Sequence, residues 1–87
     1  MRVFALFRPN TDQETRLNEL NRELFRRSNN QIEIVCVDSR EGSELAKVYD
    51  IMRFPAVVAV DLDGHVQSLW DDESLPLIND ISYYLNQ

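Results

Sequence analysis

The sequence predicts an α/β domain with the element order β-α-β-α-β-β-α, in which a four-stranded mixed sheet lies between two layers of helix. Three observations predict it. Short, β-rich apolar runs alternate with stretches whose leucines and isoleucines recur at helical spacing. The first β-α-β run has the form of a right-handed crossover between parallel strands. The last two apolar runs are joined by "DLDG", a tight turn whose Asp63-Gly64 is a dipeptide that hairpins prefer.

The elements follow in order. "RVFALF" is nearly all apolar, which suits a strand covered on both faces. "TDQETRLNELNRELFRRSNN" places Leu17, Leu20 and Leu24 at i, i+3 and i+7, one stripe of a helix. Its acids come early and Arg26 and Arg27 late, which complements the helix dipole, and Glu23–Arg27 is a favourable i,i+4 pair. Thr11 and Glu14 have the spacing of a capping box: the Thr11 hydroxyl would accept from the Glu14 N–H, and Glu14 would reach back to the Thr11 N–H.

"IEIVCVD" is the second strand. "EGSELAKVYDIM" is a short helix, with Ser43 as its N-cap. "PAVVAVD" opens on proline, at a strand position that proline tolerates, and "HVQSLW" returns as the fourth strand. "DDESLPLINDISYYLNQ" is the last helix, with Pro76 in its first turn. Leu77, Ile78, Ile81, Tyr84 and Leu85 form its apolar stripe, and Trp70 packs beneath it.

A length of 87 residues sets one domain, residues 1–87, with a small core. "VFALF" is too short for a membrane span or the core of a signal peptide and has no cleavage site, so we expect a cytoplasmic protein that does not engage membranes. The single cysteine, Cys36, cannot form an internal disulfide, and one cysteine with one histidine, His65, leaves a zinc site short of ligands. The formal charge of −6 is uneven. Residues 1–60 hold all nine Lys+Arg and nine acids, so the whole excess lies in Asp61, Asp63, Asp71, Asp72, Glu73 and Asp80. An acidic end repels phosphate backbones, which argues against a nucleic-acid ligand.

The stretch "ELAKVYDIMRFPAVVAVDLDGHVQSLW" resembles the thioredoxin and glutaredoxin family. In that family a short helix ending in a tyrosine and an isoleucine leads to a proline, a strand, a glycine turn and another strand. Tyr49, Ile51, Pro55 and Gly64 match in order, with one extra residue in the turn, and "LPLINDISYYL" resembles the closing helix. The resemblance covers the whole chain, without the extra strand and helix that open a full-length thioredoxin. It implies a cis Phe54–Pro55 bond in a loop that faces the active site and binds partner peptides or glutathione.

The resemblance also locates what is missing. Aligned through Pro9, the first family cysteine falls on Thr11 and the second on Glu14, and Ala5 stands where thioredoxins bury an aspartate. Thiol–disulfide exchange needs a low-pKa thiolate at the helix N-terminus and a resolving thiol one turn later, and this chain has neither there. Cys36, on the same side of its strand as Ile34, reads as a small buried hydrophobe.

Three functions follow as expectations. The first is a non-enzymatic domain that takes a protein or peptide segment between Arg53, Phe54 and Pro55 and the loop from Arg8 through Asn10 and Thr11 to Asp12, by strand addition, with Phe54 as an apolar anchor or a core residue. The second is glutathione binding or transfer through the Thr11 hydroxyl. There Asp71 and Asp72 resemble the paired aspartates that receive the tripeptide's amino end in glutaredoxins; otherwise they cap the helix. The third is weak dimerisation through the edge strand Ile32–Val37, which only Glu33 guards. His65 reads as a surface residue beside the turn.

Overall fold

The computed structural model describes residues 1–71 and 75–86. Seven elements follow one another: β1 (Arg2–Phe7), α1 (Gln13–Ser28), β2 (Glu33–Cys36), α2 (Arg40–Val48), β3 (Ala56–Val60), β4 (Val66–Asp71) and α3 (Ile78–Leu85). The sheet order is β2-β1-β3-β4, with β1 parallel to β2 and antiparallel to β3, and β3 antiparallel to β4. Among the described residues, no helix is long and apolar enough to cross a membrane.

Strand alternation divides the core in two. Val3, Ala5, Phe7, Val57 and Ala59 face α1 and α3, where Leu17, Leu24 and Ile81 meet them. Phe4, Leu6, Ala56, Val58 and Val60 face the other way, with Ile51 and the inner side of α2. β1 and β3 are therefore apolar at nearly every position, because both of their faces are covered. Trp70 packs edge-on against Tyr84 with ring centroids 5.8 Å apart, so it lies under α3 as its spacing predicts.

Several boundaries differ from the sequence reading, each for a local reason. The N-cap of α2 is Ser39, four residues before Ser43: the Ser39 hydroxyl accepts from the Gly42 N–H at 3.0 Å. α3 begins at Ile78. Pro76 has no N–H to give and disfavours helical geometry at Leu75, while Leu77 is extended and caps the helix, its N–H donating to the Asp80 carboxylate at 3.2 Å. Leu77 is 72% exposed and drops out of the buried stripe. The β3–β4 turn is wider than a two-residue hairpin. The register slips between Ala59 and Val60, and the Asp61 N–H donates to the His65 carbonyl at 3.0 Å. Gly64, at φ +84°, supplies the left-handed step.

α1 starts at Gln13 and not at Thr11, and the capping box does not form. Asp12 is the N-cap residue and makes no side-chain cap bond, while Thr11 and Gln13 take over the junction. At the other end, Asn29 is left-handed and its N–H donates to the Phe25 carbonyl at 2.8 Å, which closes the helix where "SNN" predicts. Glu23 pairs with both Arg26 and Arg27.

Candidate functional site

β1 and β3 run antiparallel, so the end of β1 and the start of β3 lie at one end of the sheet. The β1–α1 connection (residues 8–12) and the loop 52–55 therefore meet there. The Phe54–Pro55 bond is cis, and Pro55 is fully buried at the entry to β3, where Ala56 pairs with Leu6.

One side chain ties the two loops together. Gln13 Oε1 accepts from the Arg8 N–H at 2.8 Å, and its Nε2 donates to the Phe54 carbonyl at 3.3 Å. A backbone donor on one side and a backbone acceptor on the other fix which end of the amide is which. The Thr11 hydroxyl donates to the Arg8 carbonyl at 2.7 Å and accepts from the Gln13 N–H at 3.2 Å. Asn10, at φ 62°, makes the left-handed step that turns the chain into α1. The Arg8 guanidinium lies 4.9 Å above the centroid of the Phe54 ring, a cation–π contact between the same two loops.

Of the residues singled out from the sequence, the structure brings Thr11 and Phe54 into one connected surface with Arg8, whereas Pro55 is buried and offers that surface no side chain. Asn10, Asp12 and Arg53 are exposed on its rim. Phe54 is half-buried: it packs on the Phe4 and Leu6 layer and still shows part of its ring. Asp71, half-buried, is opposite Ala56 in the β3–β4 register and so lies beside the same loop. Asp72 lies outside the described residues. Gln13, the residue that organises the site, carries no sequence signal, because its second partner is 41 positions away.

Cys36 is half-buried on β2, opposite Phe7, and packs with Ile34 against the α1/α3 side of the core. Among the described residues, one group has the makings of a metal-ligand set: Asp61, Asp63 and His65, at the far end of β3. The hairpin already uses its carboxylate. Asp61 Oδ1 accepts from the N–H groups of Asp63 and His65, and Oδ2 accepts from Gln67 Nε2, all at 2.9 Å. The His65 N–H above all holds the Asp61 carboxyl below the usual carboxylate range; desolvation opposes it, and the Asp63 N–H and Gln67 add to the lowering.

With this geometry the molecule has a thioredoxin-like fold. A thioredoxin-2 described as a component of malaria parasite protein secretion machinery is 15% identical, with a TM-score of 0.65 over 97% of this chain and 79% of that one. A structure described only as a malarial protein is also 15% identical, with a TM-score of 0.63 over 97% and 91% of the two chains. A thioredoxin from Thermus thermophilus is 18% identical, with a TM-score of 0.55 over 97% and 70%. No family model and no curated protein matches the chain.

Proposed function

We propose that the chain is a redox-inactive thioredoxin-like domain that works as a protein- or peptide-binding, regulatory module, through the loop 52–55 and the start of α1. The observation that carries this reading is the Gln13 bridge. It holds Arg8 and Phe54 in one ordered surface, at the position where the family resemblance puts reactive thiols and this chain has Thr11. A preordered surface loses little freedom on binding. Among the described residues, no backbone hydrogen bond engages the N–H or C=O of Arg53, and the Phe54 carbonyl keeps a second lone pair. Those groups suit an extended segment added alongside the loop. Phe54 and Arg8 supply an apolar and a cationic contact next to it.

A threonine hydroxyl that already donates to the Arg8 carbonyl has no thiolate chemistry to offer, and Glu14 cannot resolve a mixed disulfide. The glutathione alternative draws less support for the same reason: the Thr11 proton that would hold a glutathione thiolate is committed to Arg8. Two measurements test the proposal. The purified domain should not speed the reduction of insulin by a small thiol, and catalysis there would sink the redox-inactive reading. Pull-down from native extract should recover a partner with the wild type and lose it with Phe54→Ala. Recovery that is indifferent to Phe54 and to Arg8→Glu would overturn the assignment of the surface.

A further inference from the structure

β2 lies at one edge of the sheet, with β1 as its one neighbour. The Val37 N–H donates to the Phe7 carbonyl at 2.9 Å, and Glu33 and Val35 are in register with Phe4 and Leu6 on β1. Successive residues of a strand turn their peptide groups to opposite sides, so Glu33, Val35 and Val37 face β1 and Ile32, Ile34 and Cys36 face outward. Groups facing outward at an edge are those another strand would pair with. The Arg2–Glu33 ion pair is exposed and lies on the α2 face, so it does not cover them.

Two side chains from outside the sheet do. Asn21, half-buried on α1, takes both groups of Ile32: the Ile32 N–H donates to Asn21 Oδ1 at 2.8 Å, and Asn21 Nδ2 donates to the Ile32 carbonyl at 3.3 Å. At the other end, the Cys36 carbonyl accepts from the Ser39 N–H at 3.1 Å and from the Ser39 hydroxyl at 2.6 Å. What remains is the N–H and C=O of Ile34 and the N–H of Cys36, less than the three or so residues of a short paired strand. An amide that both donates to and accepts from one residue does what a residue of an antiparallel neighbour does when it exchanges both bonds. We propose that Asn21 is an intramolecular strand mimic, an autoinhibitory contact that occupies the pairing groups of Ile32 and denies the β2 edge to a second copy of the chain. Two β2 edges paired antiparallel about Ile34 would set Ile32 of each copy opposite the partner's Cys36. With Asn21 in place only the Ile34 bonds can form. Without it, each Ile32 carbonyl is free to accept from the N–H of the partner's Cys36. Ile32 is buried, so leaving its backbone groups open is costly and pairing relieves that cost.

The test is sedimentation, from micromolar to millimolar concentration, of wild type, Asn21→Ala, Asn21→Ser and Asn18→Ala. Neither Ala nor Ser can reach both groups of Ile32, and the two variants guard against a failure of one to fold, read by circular dichroism. Asn18 is exposed on the same helix and serves as the control. Wild type and Asn18→Ala should stay monomeric at micromolar concentration. The Asn21 variants should self-associate at least about tenfold more tightly than wild type, with the Ile32 amide exchanging faster in the dilute monomer. In the associated state, exchange should slow at the amides of Ile34 and Cys36. Folded Asn21 variants that stay as monomeric as wild type would overturn the proposal. So would an Ile32 amide as protected in those variants as in wild type, equal association of Asn18→Ala, or association that leaves Ile34 and Cys36 unprotected.

Discussion

Gly42 sits in the first turn of α2, where an added Cβ would collide with the carbonyl oxygen of Cys36. Alanine is ordinarily the better helix residue by about 1 kcal/mol, so Gly→Ala within a helix usually stabilises. Here backbone blocks the space, and the neighbour cannot rotate away as a side chain would. Gly42→Ala should therefore destabilise, by about 3 kcal/mol in urea unfolding. A neutral or stabilising result would mean that α2 packs less closely on β2. Asp61 gives a prediction in pH. Its carboxyl is held low in the folded state, mainly by the His65 N–H, so its contribution is complete above the unfolded pKa and fades as pH falls through the lower folded one. Glu23 behaves in the same sense, chiefly through the Arg26 hydrogen bond. Wild type should thus lose stability on acidification below about pH 4, and Asp61→Ala should show a shallower acid limb in thermal melts.

At the level of elements, α1 is fixed to the sheet by two fully buried leucines and to the loop 52–55 by one amide. Leu24→Ala should cost roughly 2–5 kcal/mol, since the site is enclosed and collapses only partly. Gln13→Ala should cost about 1 kcal/mol and speed hydrogen exchange at the Arg8 amide, which loses its acceptor. Gln13→Glu separates the two bonds. It keeps an acceptor for Arg8 N–H but places an oxygen against the Phe54 carbonyl, so the exchange protection of Arg8 should survive better than the stability does. If Arg8 exchanges equally fast in wild type and Gln13→Ala, the bridge does not hold the loops in solution.

For the molecule as a whole, the apolar strands β1 and β3 are central and β2 and β4 form the edges. The β2 edge is short, four residues, and Glu33 is tied to Arg2, which also reaches Glu41. Charges of this kind guard an edge, so we propose that association through β2 is weak. Sedimentation at micromolar concentration should return a monomer, and a dimer there would show that the guard fails. A thioredoxin-like layout was legible from the order of the runs, from the proline that opens β3 and from the glycine turn. The helix starts were less legible. Thr11 and Ser43 both have the composition of caps, but the cap at Ser39 and the Gln13 junction depend on which N–H each oxygen meets once the strands have set the angle of approach.

The sequence by itself determined the alternation of elements, the double-sided apolar strands and the absence of thiols at the first helix, because these depend on residue type and local spacing alone. Only the tertiary structure decided that Gln13 would join Arg8 to Phe54 and that Thr11 would turn back to Arg8 instead of capping α1. These depend on side chains dozens of positions apart meeting at one end of the sheet. That meeting is set by sheet order and by the antiparallel run of β1 and β3, and no local pattern encodes it.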